Sequence, residues 1–80
     1  MNETFCSFEE TVGRMIYSAR KRRGYTIAET AKLAKVSPNT MRKCEIDSGN
    51  VKIDALIRVC EILECNPVDL LNAAHRISKY

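Results

Sequence analysis

Apolar residues recur at helical spacing in five separate stretches of this chain, and capping signals open four of them. Ser7-x-x-Glu10 is a capping box, in which a hydroxyl and a carboxylate each satisfy a backbone N–H of the other's residue. Phe8, Val12, Met15, Ile16 and Ala19 follow at three- and four-residue steps until Gly24 ends the pattern, which predicts a first helix over residues 8–23. Thr26-x-x-Glu29 caps a second helix, whose small inward residues Ala31 and Ala34 let a neighbour approach closely. Ser37 and Pro38 open a third, because proline has no N–H to lose at the first helical position and its φ is already set. Asp47-Ser48-Gly49-Asn50 is a dense turn signal that ends it. A fourth helix carries Ile53, Leu56, Ile57, Cys60 and Leu63 on one face. Asn66-Pro67 starts a fifth, with Val68, Leu70 and Leu71 as its apolar contribution. No β-type alternation persists beyond a few residues, so the expected class is all-α, with Met1 to Cys6 and Ser78 to Tyr80 frayed.

The second and third helix starts, Thr26 and Ser37, are joined by almost no linker, and two short helices with so tight a joint make a helix-turn-helix. The third helix then carries Asn39, Thr40, Arg42 and Lys43 outward, polar and cationic groups suited to base edges and phosphates in a DNA major groove.

Charge strengthens this reading through its distribution more than its sum. The formal net charge is only +3, but ten basic residues between Arg14 and Lys52 face three acidic ones there, a local balance of +7, while the rest of the chain carries −4. Such segregation builds a one-sided positive field that attracts a polyanion. With 80 residues, one small domain and its core are accounted for, so any regulation is expected to act through this domain itself, without a small-molecule effector. No apolar run approaches the roughly 20 residues of a membrane span. The acidic first eleven residues are unlike a secretory or transit peptide, which makes the expected location cytoplasmic, nucleoid-associated when DNA-bound. Cys6, Cys44, Cys60 and Cys65 form no C-x-x-C, and His75 is the lone histidine, so reduced thiols and no metal or other cofactor are expected, with Cys44 and Cys60 filling core positions. The same absence of clustered acid-base groups argues against an enzyme.

Residues Ile16 to Leu71 resemble the lambda-repressor-like helix-turn-helix family, the Cro and phage-repressor or XRE type. The resemblance rests on Arg20 four residues before Gly24, Tyr25-Thr26 leading into the second helix, Ala31 at the helix crossing, and Val36-Ser37 before the third. Met41 and Cys44 pointing inward, Glu45, Gly49-Asn50 and the closing Asn66-Pro67-Val68-Asp69-Leu70-Leu71 complete it. It implies a five-helix DNA-binding domain over residues 8–77, after a flexible segment 1–7, with the helix-turn-helix at about 27–46. Two positions depart from the family pattern. Ile27 stands where the family usually has a phosphate-contacting glutamine, and Lys35 where it usually has glycine, which obliges Lys35 to adopt a left-handed conformation at about 1 kcal/mol.

The resemblance places Pro38, Asn39, Arg42 and Lys43 at positions that meet bases. Arginine can grip guanine O6 and N7, asparagine can do the same for adenine N6 and N7, and Pro38 offers only apolar contact. Expected phosphate contacts are Arg14, Arg22, Arg23, Thr26, Ser37, Thr40, Asn50 and Lys52, helped by backbone N–H groups at the starts of the second and fourth helices. Arg20 is set apart, because the family pairs it with the acid at Glu45 as a structural ion pair. One recognition helix reads about four or five base pairs, too little information for a genome, so a homodimer on a palindromic operator is expected, with Ile62, Leu70, Leu71 and Ile77 at its interface unless they simply close the core. The implied protein is a homodimeric repressor, autoregulatory and from a mobile element. The rival is an antitoxin-like or accessory protein-interaction module on the same fold, which Ile27 and Lys35 favour and the cationic third helix opposes.

Overall fold

The structure, a computed structural model, describes residues 7–78. The flexible segment expected over residues 1–7 lies outside the described residues except for Ser7, which caps the first helix. Five helices follow in order: α1 (Phe8–Arg23), α2 (Ile27–Ala34), α3 (Pro38–Ile46), a 3₁₀ turn (Ser48–Asn50), α4 (Ile53–Ile62) and α5 (Pro67–Ile77). No strand occurs among the described residues.

Local chemistry sets each boundary. Ser7 and Thr26 form full capping boxes with Glu10 and Glu29, and the Ser37 hydroxyl accepts from the Thr40 N–H. Asn66 accepts from the N–H groups of Val68 and Asp69 at the start of α5. Gly24 ends α1 in the left-handed conformation, with φ 75°, and its N–H reaches the Arg20 and Lys21 carbonyls. Ser78 is not a loose end. It is buried and donates its N–H to the Ala74 carbonyl.

The core is one cluster in which Val12, Ile16 and Ala19 of α1 meet Ala31 and Ala34 of α2, Met41 and Cys44 of α3, Val59 and Cys60 of α4, and Leu70 and Ala74 of α5. Burying these side chains is the main stabilising term, and the alanines of α2 allow α3 and α4 to pack close to its backbone. Two apolar expectations fail. Ile53 and Val68, read as inward positions of α4 and α5, are 60% and 63% exposed. Each lies in the first turn of its helix, where the element has not yet come over the core. Leu70 is buried in the core and Ile62 and Leu71 pack against it, so of the four residues expected at a dimer interface only Ile77 is openly exposed.

Candidate nucleic-acid interface

The third helix and the 3₁₀ turn after it are held to α1 at three points. Near the start of α1, the Ser48 hydroxyl donates to the Glu9 carbonyl at 2.8 Å. In the middle, Gly13 lies so close to α3 that a Cβ there would sit 2.1 Å from the Glu45 carbonyl oxygen. Toward its end, Arg20 donates through Nε and Nη2 to the two Glu45 carboxylate oxygens, at 2.5 and 3.2 Å, and through Nη1 to the Tyr25 carbonyl at 2.8 Å. Arg20 and Glu45 are both buried, and the hydrogen bond to Glu45 raises the arginine pKa against the opposing effect of burial. The C-terminal half of α3 is thereby fixed to α1, and its N-terminal half is left facing outward.

The joint between α2 and α3 is equally constrained. Lys35 occupies the left-handed region at φ 60° and ψ 44°, the conformation glycine would adopt without strain, and its N–H bonds to the Ala31 and Lys32 carbonyls. Arg58 of α4 donates Nε to the Ala34 carbonyl at 3.2 Å and pairs with Asp54 at 3.0 Å, which fastens the end of α2 just before the turn. Neither Gly13 nor Arg58 was singled out in the sequence. A glycine inside a helix costs roughly 1 kcal/mol relative to alanine, and that cost was the available sign that Gly13 marks a close approach.

On the outward face, Pro38, Asn39 and Arg42 are exposed, and Lys43 is half-buried. Neither Arg42 nor Lys43 has an ion-pair partner among the described residues. The Ser37 hydroxyl donates to Thr40 Oγ1 at 2.9 Å, which leaves the Thr40 proton directed elsewhere. Ser37, Thr40 and Lys43 line a groove of about 490 Å³ together with Lys52, the residue before α4, and Arg58 of α4. Asn50 also borders this groove, but its amide is spent on both Asp47 carboxylate oxygens, at 2.9 and 3.1 Å. Thr26 is exposed at the start of α2, with its hydroxyl accepting from the Glu29 N–H.

The run Arg20 to Arg23 does not act as one cationic strip, because successive helical residues point about 100° apart. Arg22 lies on the far side of α1 from Gly13 and, with Arg14, borders a separate groove of about 510 Å³ against the start of α5. Arg23 is paired at 2.5 Å with Glu64, beyond the end of α4. These three residues, expected from the sequence at the phosphates, are thus not gathered with Ser37, Thr40 and Lys52. Lys21 is exposed. Its ammonium lies 5.9 Å from the centre of the Tyr17 ring, which the Arg20 guanidinium approaches at 5.4 Å.

The buried thiols of Cys44 and Cys60 are both pushed up to about 11, chiefly by burial, and so stay protonated at neutral pH. Among the described residues, no three His, Cys, Asp or Glu side chains converge on a metal site, and no helix is long and apolar enough to cross a membrane.

A family model described as a helix-turn-helix domain matches residues 12–74 of the sequence. The chain belongs to the helix-turn-helix domain family. Its five-helix arrangement is the lambda-repressor-like one. No match was found among curated proteins or among solved structures. Within this domain, α2 and α3 are the two helices of the motif, joined through Lys35.

Proposed function

We propose that this helix-turn-helix protein is a sequence-specific transcriptional regulator, a homodimeric repressor that reads a palindromic operator with the N-terminal half of α3. The observation that carries this reading is that Asn39 and Arg42 are exposed on a helix whose other end is fixed to α1 by Gly13 and the Arg20–Glu45 pair. A side chain reads a base edge only when its backbone is held in register, and a rigid α3 supplies that. Asn39 and Arg42 take the hydrogen-bonding roles, Pro38 offers an apolar contact, and Lys43 reaches a base or a neighbouring phosphate. Ser37, Thr40, Lys52 and Thr26 face the backbone, and Lys21 takes the place first given to Arg22. Repression follows most simply if the bound dimer blocks polymerase at its own promoter.

Fluorescence anisotropy tests this with a duplex selected from a randomised pool and a scrambled duplex of equal length, each at two salt concentrations. A preference of about 10³ that persists with salt is the expected result. Equal and steeply salt-dependent binding to both duplexes would reduce the surface to a non-specific electrostatic footprint. A second reading, a protein-interaction module, is favoured by the groove between α1 and α5, whose floor includes Met15 and Leu70. Absence of binding to either duplex would support it.

A further inference from the structure

Thr11, Met15, Ser18 and Arg22 recur at three- and four-residue steps along α1, with Arg14 beside them, and line a groove of about 510 Å³ against the start of α5. Arg22 stands nine residues beyond Gly13, about two and a half turns, so this face of α1 points away from the one that meets α3. The groove is thus separate from the base-reading surface. Its depth is apolar, because Leu70 is buried and Met15 packs against the core. The polar groups beside them are spent. The Thr11 hydroxyl donates to the Ser7 carbonyl at 2.9 Å, and the Asn66 side chain accepts from two N–H groups of α5. Arg14 and Arg22, in contrast, are exposed and have no ion-pair partner among the described residues. They stand eight residues apart, about 12 Å along the helix axis.

We infer that this groove takes an acidic amphipathic helix of another protein. The inference rests on the protein-interaction reading of the groove, without requiring that DNA binding be lost. A helix laid along α1 brings a carboxylate to each arginine when its acids are seven or eight residues apart, about 10.5–12 Å. A leucine- or methionine-sized residue midway between them then lies over Met15 and Leu70. Charge complementarity selects this occupant over a nucleic-acid strand. Asp69 also lines the groove and has no ion-pair partner among the described residues. A strand with a phosphate at every nucleotide meets that carboxylate and an apolar floor, whereas a helix confines its acids to the side that faces α1.

The test is fluorescence anisotropy of a labelled, alanine-based helical peptide with glutamate, leucine and glutamate at four-residue steps, titrated with the full chain without duplex. Saturable binding that weakens with salt is expected. Arg14→Glu combined with Arg22→Glu is expected to raise the peptide Kd at least about tenfold, because two favourable pairs become repulsive. A peptide with lysines in place of the glutamates is expected to bind that double variant better than it binds the unaltered chain. Ser18→Trp, which fills the groove from an exposed position, is expected to weaken binding, and Arg76→Glu, at an exposed position outside the groove, to leave it unchanged. Circular dichroism confirms that each variant is folded. No saturation by about 1 mM protein, or equal binding of the glutamate and lysine peptides to the unaltered chain, would overturn the inference. So would a single-stranded oligonucleotide that displaces the labelled peptide at a lower concentration than the unlabelled peptide does, which would assign the groove to nucleic acid. None of these results touches the base-reading proposal, which depends on the ratio between selected and scrambled duplexes.

Discussion

Replacing Gly13 with alanine is expected to destabilise the protein even though alanine is the better helix former. The added Cβ would lie 2.1 Å from the Glu45 carbonyl oxygen and 2.8 Å from its carbon, where real Cβ contacts essentially never fall below 3.0 Å. Both atoms are backbone within a helix, so no side-chain rotation relieves the clash. The two helices must draw apart by about 1 Å, and a gap of that size forfeits a quarter to a half of the dispersion energy at each contact it opens. Those contacts include Val12 and Ile16 against Met41 and Cys44 in the core, and the buried Arg20–Glu45 pair lies farther along the same seam. Overpacking typically costs about 1–3 kcal/mol, and an immovable carbonyl argues for the upper end, about 3. The gain in helix propensity returns about 1 kcal/mol. The net loss is about 2 kcal/mol, or roughly 8–16 °C in Tm for a domain of this size. Thermal and urea unfolding followed by circular dichroism measures it, with Ser18→Ala, an exposed position on α1, as the propensity control. If Gly13→Ala melts with or above the unaltered chain, the close approach is not what makes glycine necessary, and the account of how α3 is held fails.

The remaining expectations address the turn, the DNA surface and the core thiols. Lys35→Gly should stabilise by about 1 kcal/mol by relieving the left-handed lysine, whereas Lys35→Ala should not; equal melting of the two would show that φ 60° carries no strain here. Arg42→Ala should cost about 1–3 kcal/mol on the selected duplex and relax preference at one base pair, and an unchanged preference would remove Arg42 from base reading. Lys21→Ala should weaken binding to all duplexes and lower the salt slope by about one, while Arg22→Ala, across α1, should leave the slope alone; the reverse pattern would restore the sequence-based assignment. Cys44 and Cys60 hold their protons up to about 11 in the folded protein and near 9.0 when unfolded, so their contribution is complete below pH 9 and lost as pH rises toward 11. Urea unfolding at about pH 8 and pH 10.5 should therefore show a steeper alkaline loss for the unaltered chain than for Cys44→Ala, by about 2 kcal/mol, and parallel losses would refute the burial argument.

Much of this protein is set by short-range rules that a sequence displays openly. A capping box, a proline at the first helical position or a glycine after the last acts within four residues. Phe8 to Arg23 and the starts at Ile27, Pro38 and Pro67 therefore follow from the order of residues alone. The helix-turn-helix spacing, the outward Asn39 and Arg42 and the inward Met41 and Cys44 are equally local, because they depend only on helical periodicity. The tertiary structure decided which of several chemically equivalent residues share a surface. Arg20, Lys21, Arg22 and Arg23 read as one basic run, yet the first is buried against Glu45, the second lies on Tyr17, the third faces α5 and the fourth pairs with Glu64. Each step around a helix turns a side chain by about 100°, so the packing of α1 between α3 and α5 assigns their roles. Gly13 and Arg58 stayed hidden for a related reason. Their partners, the carbonyls of Glu45 and Ala34, are backbone atoms far along the chain and carry no residue signature. Ile53 looked like core because periodicity marks a face but not where along a helix that face leaves the core, and only the crossing of α4 over its neighbours determined that.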